Sequence, residues 1–175
     1  LYSTTSRGQN ITMDMYSLGS GTAEDPYGID SAVELLRIDH FNSANFKLIS
    51  AINFAGTNVA DLITSQGSII SSSFSGTLDG QGFAIYGFGS VAVSEVSQFA
   101  LFNALNGATI KNIVFGEANL DTIISYSFAS TNDNVINLSL IDNNANNSTI
   151  EDITLHNVKV VLQGNGRLTE NIYIG

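Results

Sequence analysis

Along most of this chain apolar residues alternate with polar ones, and only one short segment repeats them at helical spacing. Phe46, Leu48 and the run Ala51-Ile52-Asn53-Phe54 follow a period of two, the signature of a half-buried strand. The exception is the segment holding Val33, Leu35, Leu36 and Ile38, where Asp30 and Ser31 can cap. Ser31 with Glu34 three residues later forms a capping box, which predicts a helix over 30–41. Before it, residues 1–29 read as a lead-in strand (Ile11, Met13, Met15) and a turn-rich stretch from Gly21 through Pro26-Tyr27-Gly28. After it, periodicity is weak from Gly56 to about Ser72. Two short strands then flank the Asp79-Gly80-Gln81-Gly82 turn between Phe74 and Phe88.

The most informative pattern is a repeat. Thr109-Ile110-Lys111-Asn112-Ile113-Val114-Phe115 matches Thr149-Ile150-Glu151-Asp152-Ile153-Thr154-Leu155 as T-I-x-[ND]-I-x-Φ, where Φ is a large apolar residue. Leu168-Thr169-Glu170-Asn171-Ile172-Tyr173-Ile174 reads as a degenerate third copy and Ile85-Tyr86-Gly87-Phe88 as a fourth. The intervals cluster around one or two units of roughly 20 residues, the length of one β-solenoid coil. Ile113 to Ile153 spans two such units, Ile153 to Ile172 one, and Phe88 to Ile113 slightly more than one. The expectation is an all-β, right-handed parallel β-helix with coils over 45–175. Ile110, Ile113, Ile150, Ile153 and Ile172 would face inward, and the helix at 30–41 would cover one open end. The rival architecture is an antiparallel β-sandwich. Residues 1–175 read as a single domain excised from a larger protein, because Asn171 to Gly175 looks like a strand with no terminating signal and the chain does not begin with Met.

Composition narrows the setting. Charged residues are only 13% of the chain while hydrophobic ones are 43%, so Asn, Ser, Thr and Gly must keep it in solution. That polar but uncharged dressing suits an extracellular β-protein. The net charge of −10 argues against a nucleic-acid partner and against docking on anionic lipid. No stretch is long and apolar enough to imply membrane insertion. There is no cysteine, hence no disulfide framework, which fits a bacterial secreted or cell-surface molecule.

Candidate chemistry is sparse. Zinc protease chemistry needs two His four apart on a helix with a Glu as base, and His40 and His156 do not meet that spacing. His40 reads as a helix end and His156 as a turn residue. A glycan-active β-helix enzyme would use clustered carboxylates. Its candidates are Asp79, Asp121, Asp133, Asp142, Glu151 and Asp152, with Arg7, Arg37, Lys47, Lys111, Lys159 and Arg167 as bases. Glu151 and Asp152 are adjacent, so on a regular strand they point to opposite faces. Lys111 and Glu151 hold equivalent repeat positions and can stack as an outward ion pair worth little. Calcium has oxygen ligands at Asn132-Asp133-Asn134 and Asp142-Asn143-Asn144, although neither an EF-hand nor a glycine-rich nonapeptide is present. Turn residues that tolerate left-handed conformations are the simpler reading of both stretches. Gly80-Gln81-Gly82 lacks the Lys and helix of a phosphate loop. The sequons at Asn10, Asn137, Asn146 and Asn147 carry little weight in so Asn-rich a chain. Tyr16, Tyr27, Tyr86, Tyr126 and Phe128 are candidates for an exposed aromatic patch.

Three runs carry a family resemblance: FSGTLDGQGFAIYGF (74–88), ALFNALNGATIKNIVF (100–115) and NNSTIEDITLHNVKV (146–160). With the preceding GSGTAEDPYGIDSAVELLRI (19–38) and NFKLISAINFAG (45–56), they resemble the N-terminal β-helical region of immunoglobulin A protease-like zinc metallopeptidases and GLUG-type bacterial surface proteins. The G-L-V-G element usual in GLUG repeats is not clearly present. The resemblance implies a secreted or surface-attached accessory domain and does not imply proteolysis by this segment. The expected function is therefore a non-catalytic recognition or spacer module, monomeric in isolation, that presents a sheet face to a host protein, a glycan or neighbouring domains. No catalytic, cofactor-binding or metal residue is assigned, and the alternative is a polysaccharide hydrolase or lyase.

Overall fold

The computed structural model describes residues 16–57, 59–62, 67–87, 90–93, 98–117, 122–128, 136–164 and 172–174. The Ile11–Met15 lead-in strand lies outside them. The first elements are β1 (Tyr27–Ile29), helix α1 (Ala32–Leu36) and a 3-10 turn (Arg37–His40). β2 (Asn45–Leu48), β3 (Ile52–Asn53), a second 3-10 turn (Val59–Leu62), β4 (Ser68–Phe74), β5 (Thr77–Asp79) and β6 (Ala84–Tyr86) follow. The remainder is strand: β7 (Ser90–Val93), β8 (Gln98–Asn106), β9 (Thr109–Phe115), β10 (Thr122–Phe128), β11 (Ile136–Leu138), β12 (Ala145–Asn146), β13 (Thr149–Leu155), β14 (Val158–Gly164) and β15 (Ile172–Ile174).

Every pairing between these strands is parallel, which removes the sandwich alternative. One sheet runs β1-β2-β5-β9-β6-β3 with β13 also on β9; a second runs β14-β10-β7; a third runs β12-β8-β11-β15 with β4 on β8. The expected right-handed parallel β-helix needs correction here. The described residues form separate parallel sheets with one short helix, a parallel α/β-like arrangement, and define no regular solenoid. The constant coil length fails because paired positions are unevenly spaced. Tyr27 pairs with Phe46, Phe46 with Leu78, Leu78 with Ile110, and Ile110 with Ile150. Along that series the steps in sequence are 19, 32, 32 and 40 residues, so the last is about twice the first.

Two of the four repeat copies are genuine neighbours. Thr109–Phe115 and Thr149–Leu155 pair in the register their sequences predict, Ile110 beside Ile150 and Ile113 beside Ile153. The other two do not share that register. Ile85 stands beside Phe115 and Ile52, and Ile172 stands beside Ile136. The segment that does align on Thr109-Ile110-Lys111 is Thr77-Leu78-Asp79, with Asn45-Phe46-Lys47 one strand further out.

This register builds the core. Phe46, Leu78 and Ile110 form one buried column, and Ile52, Ile85 and Phe115 another, each residue at most 1% exposed. Phe74 stacks on Phe102 at 5.1 Å between ring centroids, and Phe46 lies 6.1 Å from Phe74. Tyr16, buried, stacks on Tyr27 at 4.7 Å and meets Phe41 and Phe46 edge-on, so it belongs to the core and not to a surface patch. Of the five isoleucines expected inside, Ile110 and Ile113 are fully buried and Ile153 packs partly against the core. Ile150 is instead 40% exposed. The side chain of Ile172 lies outside the description.

The helix is shorter than 30–41. Ser31 caps it by accepting from the Glu34 amide at 3.4 Å, while the Glu34 carboxylate accepts from the Asp30 amide at 2.9 Å, one residue before the cap. Leu35 and Ile38 are buried, whereas Val33 faces solvent. The 3-10 turn is tied to β4: Asp39 accepts from the Ser72 amide at 2.8 Å and from the Ser71 hydroxyl at 3.2 Å. The register of β4 on β8 shifts between Ile70 and Ser73, and Asp39 holds the two residues inside that shift.

Burial separates the two aligned copies energetically. Ile110→Ala empties a fully buried site and is expected to cost about 3 kcal/mol. Ile150→Ala, at the equivalent position of β13, is expected to cost less than about 1 kcal/mol. Urea unfolding midpoints of the two variants check the difference.

Candidate functional site

The polar position inside the apolar repeat builds a groove with site-like geometry among the described residues. Asn112 and Asp152, the [ND] residues of the two aligned strands, both have φ of 54°, and Gln81 just beyond β5 has φ of 53°. Asn and Asp tolerate this left-handed region better than other side chains. The ladder skips Asn112 and Asp152, pairing Lys111 with Glu151 and then Ile113 with Ile153. Glu151 and Asp152 are both exposed, as is most of β13.

Asp79 knits these layers together. Its Oδ1 accepts from the Gln81 amide at 3.0 Å and from Asn112 Nδ2 at 3.0 Å, and Lys111 Nζ lies 3.7 Å from Oδ2. The Gly80 amide donates to the Lys111 carbonyl and the Gly82 amide to the Asn112 carbonyl, both at 2.8 Å. Gly80 is required for this approach, since a Cβ there would collide with the Asn112 carbonyl oxygen. The ion pair expected between Lys111 and Glu151 is replaced by the one to Asp79. Register nevertheless places Lys47, Asp79, Lys111 and Glu151 in a single column of alternating charge. Beside this bend lies an open groove of about 460 Å³ lined by Gln81, Gly82, Asn112, Val114, Asp152 and Thr154.

Burial is the largest influence on Asp79 and by itself pushes its pKa up. The hydrogen bonds from Asn112 and Gln81 and the Lys111 charge together outweigh it, so the carboxyl is held below its ordinary value. Asp142 behaves oppositely: burial pushes it up, and the backbone hydrogen bond from Asn144 offsets only part of this. Asp142 bridges to Phe102 on β8 and is not part of the groove lining.

The remaining candidates scatter. Asp121, Asp133, Arg7, Arg167, Asn10 and the stretch Asn132-Asp133-Asn134 lie outside the described residues, as do the side chains of Tyr126, Phe128 and Asn137. His40 ends the 3-10 turn, and the His156 amide donates to the Phe115 carbonyl just beyond β13. Asn143 donates to the Gly67 carbonyl at 3.4 Å, while Asn144 beside it is exposed. Asn146 contacts Asn106 at 3.5 Å, and Asn147 is left-handed with φ of 49°. Among the described residues no three His, Cys, Asp or Glu side chains group as metal ligands. No described helix is long and apolar enough to cross a membrane. Sequence reasoning missed Thr154, Val114 and Gln81 as groove residues. The usable signal was the polar [ND] residue interrupting an apolar strand in two copies. The chain matches no family model, no curated protein and no solved structure.

The two shifted acids make opposite contributions to stability. The folded pKa of Asp79 is depressed, so it stabilises above the ordinary Asp value of about 3.9, and this is lost as pH falls through the folded value. Asp79→Asn is expected to lower the urea midpoint at about pH 7, by a margin that shrinks below about pH 4. The folded pKa of Asp142 is raised, so its contribution is present below the ordinary value and lost as pH rises through the folded one. Asp142→Asn is expected to raise the midpoint at about pH 7 and to leave it unchanged near pH 3.

Proposed function

We propose that this chain is a non-catalytic recognition or spacer module of a larger secreted or cell-surface bacterial protein, serving adhesion or substrate positioning. The observation that carries this reading is the engagement of Asp79. Its carboxylate is already bonded to Asn112 and Gln81, faces Lys111 and is held in its ionised form. Hydrolysis of a glycan needs one carboxylic acid kept protonated beside a second carboxylate. Among the described residues the acid that burial pushes that way is Asp142, and it does not line the groove. What the groove offers is a fixed set of amide, hydroxyl and carboxylate groups from Gln81, Asn112, Thr154 and Asp152. Such a set hydrogen-bonds hydroxyl-rich or amide-rich ligands, a glycan or a protein backbone. The low share of charged residues and the absence of cysteine support an extracellular setting. The net charge of −10 supports a partner other than nucleic acid.

Glycan-array binding paired with a reducing-sugar assay on the purified chain tests the reading. Expected is retention of a glycan or peptide that Asp152→Ala weakens about tenfold, equivalent to about 1.4 kcal/mol, with no reducing ends released. Release of reducing ends that Asp79→Asn abolishes would instead make the chain a glycan-active enzyme.

A further inference from the structure

β13 pairs with β9 along one edge and with no strand along the other among the described residues. Two of its side chains, Ile150 and Leu155, continue columns whose members in the neighbouring strands are buried. Ile150 extends the Phe46–Leu78–Ile110 column and is 40% exposed, against 0% for Ile110. Leu155 extends the Ile52–Ile85–Phe115 column and is 56% exposed, against 1% for Phe115. Two apolar positions at the ends of otherwise dry columns lose their burial for want of one further strand.

Charge specifies what that strand carries. Lys47, Asp79, Lys111 and Glu151 alternate in sign along one column, so the next position calls for a cation. The approach of β9 to β5 shows how an acid in this column is held: Lys111 lies 3.7 Å from Asp79, and Asn112, one residue later, donates to it at 3.0 Å. Translated outward by one strand, the same geometry sets Lys or Arg against Glu151 and Asn beyond it. Apolar residues then face Ile150, Ile153 and Leu155.

We propose that β13 is a strand-addition site for an extended partner segment, paired in parallel, with the pattern apolar–Lys/Arg–Asn–apolar–any–apolar. Main-chain hydrogen bonds supply affinity and the alternate side chains supply specificity. The proposal rests on the recognition reading, because Asp152 and Thr154 of β13 also bound the groove, and it names the partner class of that surface. A second copy is a poor occupant. β9, which carries the matching pattern, has both edges occupied, and two β13 edges would bring Glu151 and Asp152 together with their own kind.

The test is fluorescence anisotropy of the full chain with a labelled peptide of sequence Thr-Ile-Lys-Asn-Ile-Val-Phe between Gly-Ser flanks, against the same peptide with Glu in place of Lys. The Lys peptide is expected to bind at least tenfold more tightly. Glu151→Lys, exposed and checked for an unchanged urea midpoint, is expected to reverse that preference, and Leu155→Ser to weaken the Lys peptide severalfold. Equal binding of both peptides, binding of neither, or a preference that survives Glu151→Lys overturns strand addition. Self-association in light scattering that the Lys peptide does not dissolve overturns it in favour of a second copy. Loss of peptide binding with glycan retention intact removes strand addition alone, whereas release of reducing ends removes the recognition reading beneath it.

Discussion

Parallel pairing between segments well separated in the chain, from Tyr27 with Phe46 to Ile110 with Ile150, is the constraint on which this structure depends. A parallel strand cannot satisfy its backbone from an adjacent hairpin, so each strand must find its partners across a long connection. Backbone pairing and side-chain burial are thereby coupled. The same register that closes the hydrogen bonds aligns Phe46, Leu78 and Ile110 into one dry column and Ile52, Ile85 and Phe115 into another. Slipping one strand by a single residue would turn its apolar side chains outward and set charges in the core. Phe74 and Phe102, stacked at 5.1 Å, add an aromatic contact that resists such slippage.

Left-handed residues punctuate this regularity and give the surface its shape. Gln81, Asn112 and Asp152 each bend their segment at nearly the same φ, and Asp79 with Gly80 fills the space beneath the first two bends. The carboxylate thus has a structural role that its polarity alone would not announce. It accepts the Gln81 amide in the turn after β5 and the side-chain amide of Asn112. The groove beside it is a consequence of these bends, which is why its walls are amides, a hydroxyl and a carboxylate from three successive layers.

The alternating charge column and the exposed ends of the apolar columns share one cause. Interior strands have a partner on each side, so their apolar residues are covered, and Asp79 and Lys111 face each other across one such pairing. β13 has one partner among the described residues, and both Glu151 and its neighbours Ile150 and Leu155 are left as they would be midway through a continuing stack.

How much of this was legible varies with the residue. The repeat at Thr109–Phe115 and Thr149–Leu155 was, because identical apolar spacing over the same length favours identical register. The Ser31–Glu34 cap was readable because capping is local, although the carboxylate reaches Asp30 and not the cap itself. Ile85 and Ile172 were misplaced, since short apolar-aromatic runs look alike wherever they pair. The constant period drawn from them, and the regular solenoid built on it, fell with them. Glu151 and Asp152 were expected to alternate because strand geometry was assumed through a residue that is left-handed. The clamp of Asp39 on Ser71 and Ser72 left no trace in the sequence. By itself, then, the sequence determined strand-rich alternation, one capped helical turn, the aligned pair of repeats and a polar residue inside each. Those depend on contacts within a few residues or on direct repetition. Only the tertiary structure decided which strands share a sheet, that Thr77-Leu78-Asp79 and not Ile85 stands beside Thr109-Ile110-Lys111, and that Lys111 faces Asp79. Each of those depends on the paths of long connections of unequal length, and no local rule fixes such a path.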